Sequence, residues 1–294
     1  MKIGILADEE QFMADVSNML RNKGYQVEYM KLKYQKFPIT VDYKLIIDRF
    51  SLYDNFIRES VKMLSLNGVY IVNNPFANTC DNKAVEFALC QKMKIPYPKT
   101  FILPQENNQD ISDQVEMPNL DEIIGEFQFP VVMKPYNGYA WTDVIVVQSA
   151  DELRRLYDEL KKVNIFMLQE FIKHKVMYRV YCFGQKETLF VRYEPSTRKY
   201  LVDDYSAIQW IKQKIEECTI KLNRALDYDF NAIEWMIDEN DNFYVVDAFN
   251  ETPELLPESI PKAYYDQIVE KFTAMVEQRY KDGSRNKLPF NYVQ

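Results

Sequence analysis

The sequence predicts an α/β N-terminal Rossmann-like unit followed by a larger α+β region. Over the first 74 residues, short apolar runs alternate with helical stripes, the pattern of a parallel sheet covered by helices. From about residue 129 onward, strand-like segments succeed one another through turns. The plainest is FNAIEWMIDENDNFYVVDAFNETPE (230–254), two apolar strands flanking an acidic Asn/Asp turn. A chain of 294 residues is long enough to bury more than one core.

In chain order, residues 2–7 form a first apolar strand, and Phe12, Val16, Met19 and Leu20 recur at helical spacing up to Gly24, which can take a left-handed cap. Residues 26–30 alternate like a strand and 43–47 read as a buried one. Ile57, Val61 and Leu64 mark a second helix ending near Gly68, before a strand at 69–72. No GxGxxG follows the first strand, so a dinucleotide-binding role is rejected.

Asp81 is placed as the N-cap of a helix carrying Val85, Ala88, Leu89 and Met93 on its apolar face. The prolines of Ile95-Pro96-Tyr97-Pro98 end it. Residues 105–119 are polar and acidic, as an exposed loop would be, and FPVVMKPYNGYAWTDVIVVQ (129–148) reads as strand, glycine-containing loop, strand. A helix over 150–162 turns Leu153, Leu156 and Leu160 inward. Strands follow at 165–171, 176–183 and 188–193, then a long helix over 206–226 capped by Ser206, the 230–254 hairpin and a terminal helix over 261–280. The division that results is 1–74, then 75–294, itself parted into a linker and helical region (75–128), a subdomain around the Gly138 loop (129–172) and a C-terminal subdomain around the 230–254 hairpin (173–294).

Composition excludes several functions. Hydrophobic residues are 47% and charged residues 27%, ordinary for a globular protein. A formal charge of −8 offers no basic excess to displace counterions, which argues against nucleic acid as a partner. The 4 cysteines are scattered without a CxxC and there is 1 histidine, so a thiolate or imidazole metal site is not expected. Reduced thiols, no signal-like N-terminus and no stretch long enough to span a membrane lead to the expectation of a cytoplasmic protein.

The chemistry concentrates in charged residues set into apolar strands. Glu234 interrupts the first strand of the 230–254 hairpin, and Asp247 and Asn250 end the second. Oxygen-only donors suit a hard cation such as Mg²⁺, which keeps some waters and shares substrate phosphates; the solvent side of an amphipathic hairpin would show the same residues. Lys134 closes the strand before the Gly138 loop, where a lysine and loop N–H groups could meet phosphates, although an ordinary hairpin has the same pattern. Arg179 and Arg192 each sit in an apolar strand and need an anion if buried, which could equally be a structural carboxylate.

Taken together, the segments resemble the ATP-grasp superfamily, in particular the glutathione synthetase and ribosomal-protein glutamate ligase branch. DNKAVEF with IPYPKT resembles its "DK, helix, GIPxPxT" segment, and FPVVMKPYNGYAW its "PVVxKPxxGxxG" strand and loop. LQEFI with YRVYCFG resembles its "QEFI … DxRV" hinge and strand, and IEWMID with YVVDAFN its "VDxxxD … YVxEVN" metal hairpin. The likeness covers roughly residues 70–275, and the N-terminal unit takes the place of the family's pre-ATP-grasp domain. It implies two α+β subdomains that hold ATP. Lys83 and Lys134 match the lysines on the nucleotide and its phosphates, Gly138 the phosphate loop, and Gln169, Glu170, Phe171 and Ile172 the hinge that reads adenine. Arg179 matches the arginine at the reacting phosphate, with Arg192 joining it, and Glu234, Asp247 and Asn250 match the ligands of Mg²⁺, or Mn²⁺ in its place. The implied reaction makes an acyl phosphate from a small carboxylate and passes it to an amine, forming an amide with no protein nucleophile.

This sequence departs from the family pattern in places. Trp141 and Thr142 stand where glycines are usual, Tyr178 where an acid precedes the arginine, and Glu234 where aspartate is usual. Asp247 and Asn250 are three apart, so regular alternation would place them on opposite faces; a bulge or strand end near Ala248-Phe249 is expected, with Glu251 the rival ligand if the strand is regular. Two alternatives stand beside the ligase: an ATP-grasp kinase acting on a small hydroxyl compound, and a silent nucleotide-binding protein.

Overall fold

A computed structural model describes residues 1–8, 10–34, 36–37, 39, 42–77, 83–106, 114–137 and 142–289. The expected cap Asp81, Cys80, Gly138, Trp141 and part of the 105–119 loop lie outside them. No helix of the described residues is long and apolar enough to cross a membrane. The chain forms two compact units, each assembled from separated segments.

One unit comprises 1–78, 176–235 and 248–294. Strands β1 (Lys2–Leu6), β2 (Val27–Tyr29), β3 (Tyr43–Asp48) and β4 (Tyr70–Val72) form a parallel sheet in the order β2-β1-β3-β4. Their runs are apolar at successive positions because both faces are covered. Ile3, Ile5, Leu45, Ile47, Tyr70 and Val72 enter one core, whereas Leu6, Ile46 and Ile71 enter a second with Val61 and Leu64 of α2 (Asn55–Leu66). Helix α1 (Gln11–Asn22) buries Phe12, Met13, Val16 and Leu20 against the first core, and Gly24 beyond it takes the left-handed φ of 90°.

That first core does not stop at residue 74. Phe230, Tyr181 and Phe272 join it, with Phe12 and Phe230 both edge-on to Phe272 at 5.3 and 4.9 Å. Apolar faces of late segments complete the cover that α1 begins, so the compact unit departs from the sequence division at 74/75. Its later elements are β9 (His174–Phe183), β10 (Glu187–Glu194), β11 (Lys199–Leu201), α6 (Lys212–Leu226), the first part of β12 (Phe230–Asp238) and α7 (Lys262–Asp282). The helix expected to start at Ser206 begins only at Lys212. Tyr205 takes a left-handed φ of 62°, Asp204 accepts the Ser206 N–H, and a 3-10 turn at Ser206–Ile208 precedes the helix.

The other unit comprises 79–175 and 236–247. Helix α3 (Lys83–Met93) leads to β5 (Thr100–Leu103), α4 (Leu120–Gly125), β6 (Val131–Pro135), β7 (Ile145–Val147), α5 (Ala150–Leu160) and β8 (Phe166–Glu170). The strands pair antiparallel in the order β5-β8-β6-β7. Ser149 caps α5 by accepting the Glu152 N–H, and Leu153 and Tyr157 enter the core with Leu103, Val131, Met133 and Leu168. Beyond β12, the acidic turn is closed by Asp238, whose carboxylate accepts the N–H groups of Asn240 and Asn242, and β13 (Phe243–Asp247) follows.

Candidate functional site

Helix α3 buries a face other than the one its apolar spacing predicts. Phe87 and Cys90 are buried, but so are Lys83 and Glu86, while Val85 is exposed. Charged residues are seldom buried unless they are paired. Lys83 is 8% exposed, and its Nζ donates to Oδ2 of Asp247 at the last position of β13. Its backbone N–H donates to the Tyr136 carbonyl at 2.9 Å, tying the start of α3 to the end of β6. Lys134, also 8% exposed, donates to the Val246 carbonyl at 3.1 Å and lies 5.4 Å from the Phe87 ring centroid. Thus Lys83 and Lys134 converge on successive residues of β13.

On β8, Gln169 is buried and donates to Thr100 at 2.9 Å, and Glu170 receives the strand's last ladder bond, its N–H donating to the Lys99 carbonyl. Phe171 is exposed and Ile172 half-buried in the connector to β9. The strand-to-connector change therefore falls inside the expected hinge set.

In the first unit, Arg179 of β9 and Glu234 of β12 form a buried pair, with side chains 14% and 9% exposed. Nε and Nη2 of Arg179 each lie 2.8 Å from Oε1 of Glu234, the guanidinium stacks 4.3 Å from the Tyr193 ring, and Nη1 donates to the Tyr200 hydroxyl. Burial pulls the Arg179 pKa down most strongly, but Glu234 together with Tyr200, Tyr181 and Tyr193 outweighs it and holds the group above its ordinary value.

Arg192 does not join this group. In the antiparallel pair of β9 and β10, Arg179 lies opposite Val191 and Arg192 opposite Tyr178, so the two arginines point to opposite faces. Arg192 is 37% exposed and lies 4.0 Å from Asp203, which also accepts the Tyr178 hydroxyl. Arg192 therefore lies on the face opposite Arg179, beside Asp203, whose side chain is 7% exposed.

Strand β13 ends at Asp247, where the sequence predicts a bulge or a strand end. Residues 248–250 belong to neither helix nor strand, and Ala248 and Phe249 are buried. Asn231 was not singled out by its sequence, since an asparagine in an apolar strand carries no motif. It is fully buried, and its side chain bonds the backbone of both Ala248 and Asn250.

Among the described residues no three His, Cys, Asp or Glu side chains cluster as a metal cage. The chemistry of the expected donors still fits a hard cation: Glu234, Asp247 and Asn250 present oxygen only. The Arg179 bonds to Glu234 all fall on Oε1, and the Lys83 bond to Asp247 falls on Oδ2, so neither pairing needs both carboxylate oxygens. A thiol nucleophile is not supplied by Cys90, Cys182 or Cys218. All three are buried, and burial pushes the Cys182 thiol up to about 12.

Solved structures with the same fold include an ATP-grasp RimK domain protein from Sphaerobacter thermophilus, at 15% identity and a TM-score of 0.67 over 94% of this chain and 98% of that one. A D-alanine–D-alanine ligase from Bacillus anthracis complexed with ATP is 16% identical at a TM-score of 0.67, over 96% and 97%. A RiPP-associated ATP-grasp ligase from Chryseobacterium gregarium, in complex with ADP and a leader and core peptide, is 14% identical at 0.66, over 98% and 100%. No curated protein sequence matches the chain. The class is therefore ATP-grasp. A family model described as the RimK-like ATP-grasp domain matches residues 80–263, more than half of the chain, and the protein belongs to that family.

Proposed function

We infer that the protein is an ATP- and Mg²⁺-dependent carboxylate–amine ligase acting on an amino acid, peptide or related small acid. One observation carries the reading. Two of the three cations assigned to nucleotide or phosphate pair, each within its own unit, with a carboxylate assigned to metal, Lys83 with Asp247 and Arg179 with Glu234, while Lys134 bonds the Val246 carbonyl beside Asp247. Charges of both signs held at low exposure are what phosphoryl transfer requires, because its catalysis is positioning and neutralisation. In the proposed reaction, phosphate oxygens take Lys83, Lys134 and Arg179 as partners, and Glu234, Asp247 and Asn250 hold the metal, with Glu251 its rival. Mg²⁺, when bound, neutralises phosphate charge.

Gln169 to Ile172 offer backbone and side-chain groups to the base, and Gly138 belongs to the phosphate loop. The substrate carboxylate attacks the γ-phosphorus, ADP leaves, and the acyl phosphate formed is attacked by the amine, releasing phosphate. The described thiols are buried and take no part, consistent with an acyl group that is never passed to the protein. The ATP- and peptide-bound structures of similar fold support a nucleotide and an amino-acid or peptide class of substrate. The test is phosphate release with ATP, Mg²⁺ and a panel of amino acids, peptides and small carboxylates. An amide with ADP and free phosphate is expected. A phosphoester without free phosphate would make the protein a kinase, and no turnover with any acid would make it a nucleotide-binding protein.

A further inference from the structure

The residues after β13 are tied to β12 by a buried side chain as well as by a backbone bond. Asn231 lies on β12 three residues before Glu234, with a fully buried side chain. Its Nδ2 donates to the Ala248 carbonyl at 2.8 Å, and its Oδ1 accepts the Asn250 N–H at 2.8 Å. The backbone of the next residue, Ala232, donates its N–H to the Asn250 carbonyl at 2.9 Å. One side-chain amide thus spans the extra residue that takes Asn250 out of register with Asp247, standing in for the ladder bonds that a regular strand would make.

A second asparagine fixes the frame around it. Asn73, just past β4 with a left-handed φ of 63°, accepts the N–H groups of Asp229 and Phe230, both at 2.8 Å. It donates to the Phe230 carbonyl at 2.8 Å and to that of Glu251 at 3.4 Å. Arg49, just past β3, donates to the Pro253 carbonyl at 2.9 Å. The segment 248–253 is therefore anchored to β12 and to the ends of β3 and β4.

We propose that Asn231 is a positioning residue for metal binding, setting the backbone of Asn250 so that its amide oxygen serves the cation. The inference rests on the assignment of Asn250 as a metal ligand. A buried amide that satisfies one carbonyl and one N–H on the segment cannot be replaced by an apolar side chain without stranding both, so the segment shifts when Asn231 is removed. Groups that orient a ligand typically change metal affinity about 10- to 100-fold when lost.

The test measures Mn²⁺ binding by paramagnetic resonance in the presence of a non-hydrolysable ATP analogue, alongside the Mg²⁺ dependence of ATP turnover, for Asn231→Ala, Asn231→Leu, Asn250→Ala and the Asn231→Ala/Asn250→Ala double variant. Asn223→Ala serves as a stability control, because Asn223 is buried and its side-chain amide donates to the Thr219 carbonyl of its own helix. Both Asn231 variants are expected to raise the half-saturating metal concentration about 10- to 100-fold, with turnover recovering at high Mg²⁺. The double variant is expected to be no worse than Asn250→Ala alone, since both remove the same interaction. Asn223→Ala is expected to lower Tm and leave the metal midpoint unchanged. If the Asn231 variants lose Tm with unchanged metal midpoints while Asn250→Ala moves its own, the positioning role is overturned and the ligand assignment stands. If Asn250→Ala leaves the midpoint unchanged, the ligand assignment fails, and the positioning role fails with it.

Discussion

Removal of Glu234 separates structural from chemical contributions at the Arg179–Glu234 pair. Both side chains are largely withdrawn from water, and Oε1 of Glu234 receives two guanidinium N–H groups at 2.8 Å. In Glu234→Ala the guanidinium keeps only the Tyr200 hydroxyl and the rings of Tyr193 and Tyr200 among the partners described here. Stranding one partner of a buried pair costs about 3–5 kcal/mol. At about 2–4 °C per kcal/mol for a chain of this size, Tm falls by about 6–20 °C. The double variant Arg179→Met/Glu234→Leu buries no charge and is expected to return to within about 1 kcal/mol of wild type. ATP turnover per folded molecule does not return: it stays down by roughly 10²-fold or more in the single and double variants, because the proposed function places Arg179 at the reacting phosphate and Glu234 on the metal. Calorimetry and a coupled ADP assay on the same preparations give both quantities. A double variant that regains turnover would refute the chemical role, and a Glu234→Ala variant as stable as wild type would refute the buried pair.

Further outcomes follow from the same geometry. Lys134→Ala removes a cation held against β13 and is expected to weaken ATP binding by about 10-fold or more in a fluorescent-nucleotide titration; unchanged affinity removes Lys134 from the phosphate site. Arg192→Met, on the opposite face and partly exposed, is expected to change stability by no more than about 1 kcal/mol and turnover by less than about threefold; a loss matching that of Arg179→Met would restore Arg192 to the reaction. The Glu277 carboxyl is lowered to about 2, chiefly by its bonds from Lys23 and Lys281. Its contribution is present above its ordinary pKa of 4.5 and is lost as pH falls toward 2. Because Lys23 and Lys281 are well exposed to solvent, that contribution is about 1 kcal/mol. Glu277→Gln should therefore lower Tm at pH 7 and show a shallower acid limb in a pH–Tm series; parallel curves would exclude the coupling.

Much of the architecture is legible in the residues because short-range physics decides it. Apolar runs such as 43–48 must be covered on both faces, whatever covers them, and they are the strands of a parallel sheet. Asn and Asp at 238–242 satisfy their own backbone and close the hairpin. The order of Lys83, Lys134, Arg179, Glu234 and Asp247 was likewise readable as a set of charges that ordinary packing does not need.

What long-range contact decides was not readable. Helix α3 buries Lys83 and Glu86 and exposes Val85 because the partner of Lys83, Asp247, lies 164 residues further along the chain. The face of Arg192 hangs on the turn between β9 and β10. Phe183 pairs with Glu187, leaving three residues in the loop, with Gly184 and Gln185 at φ 58° and 61°. A loop one residue shorter or longer would turn Arg192 to the side of Arg179, since a one-residue slip exchanges the faces of a strand. Nothing in FGQKE fixes that length. Asn231 is the same case in another form: an asparagine in an apolar strand has no meaning until the backbone it satisfies arrives from residues 248–250. Sequence therefore determined which strands, turns and charges this protein has, through local pattern and burial. The tertiary structure alone decided which face each charge takes and which partner it meets, because register and distant pairing are set by the assembled chain.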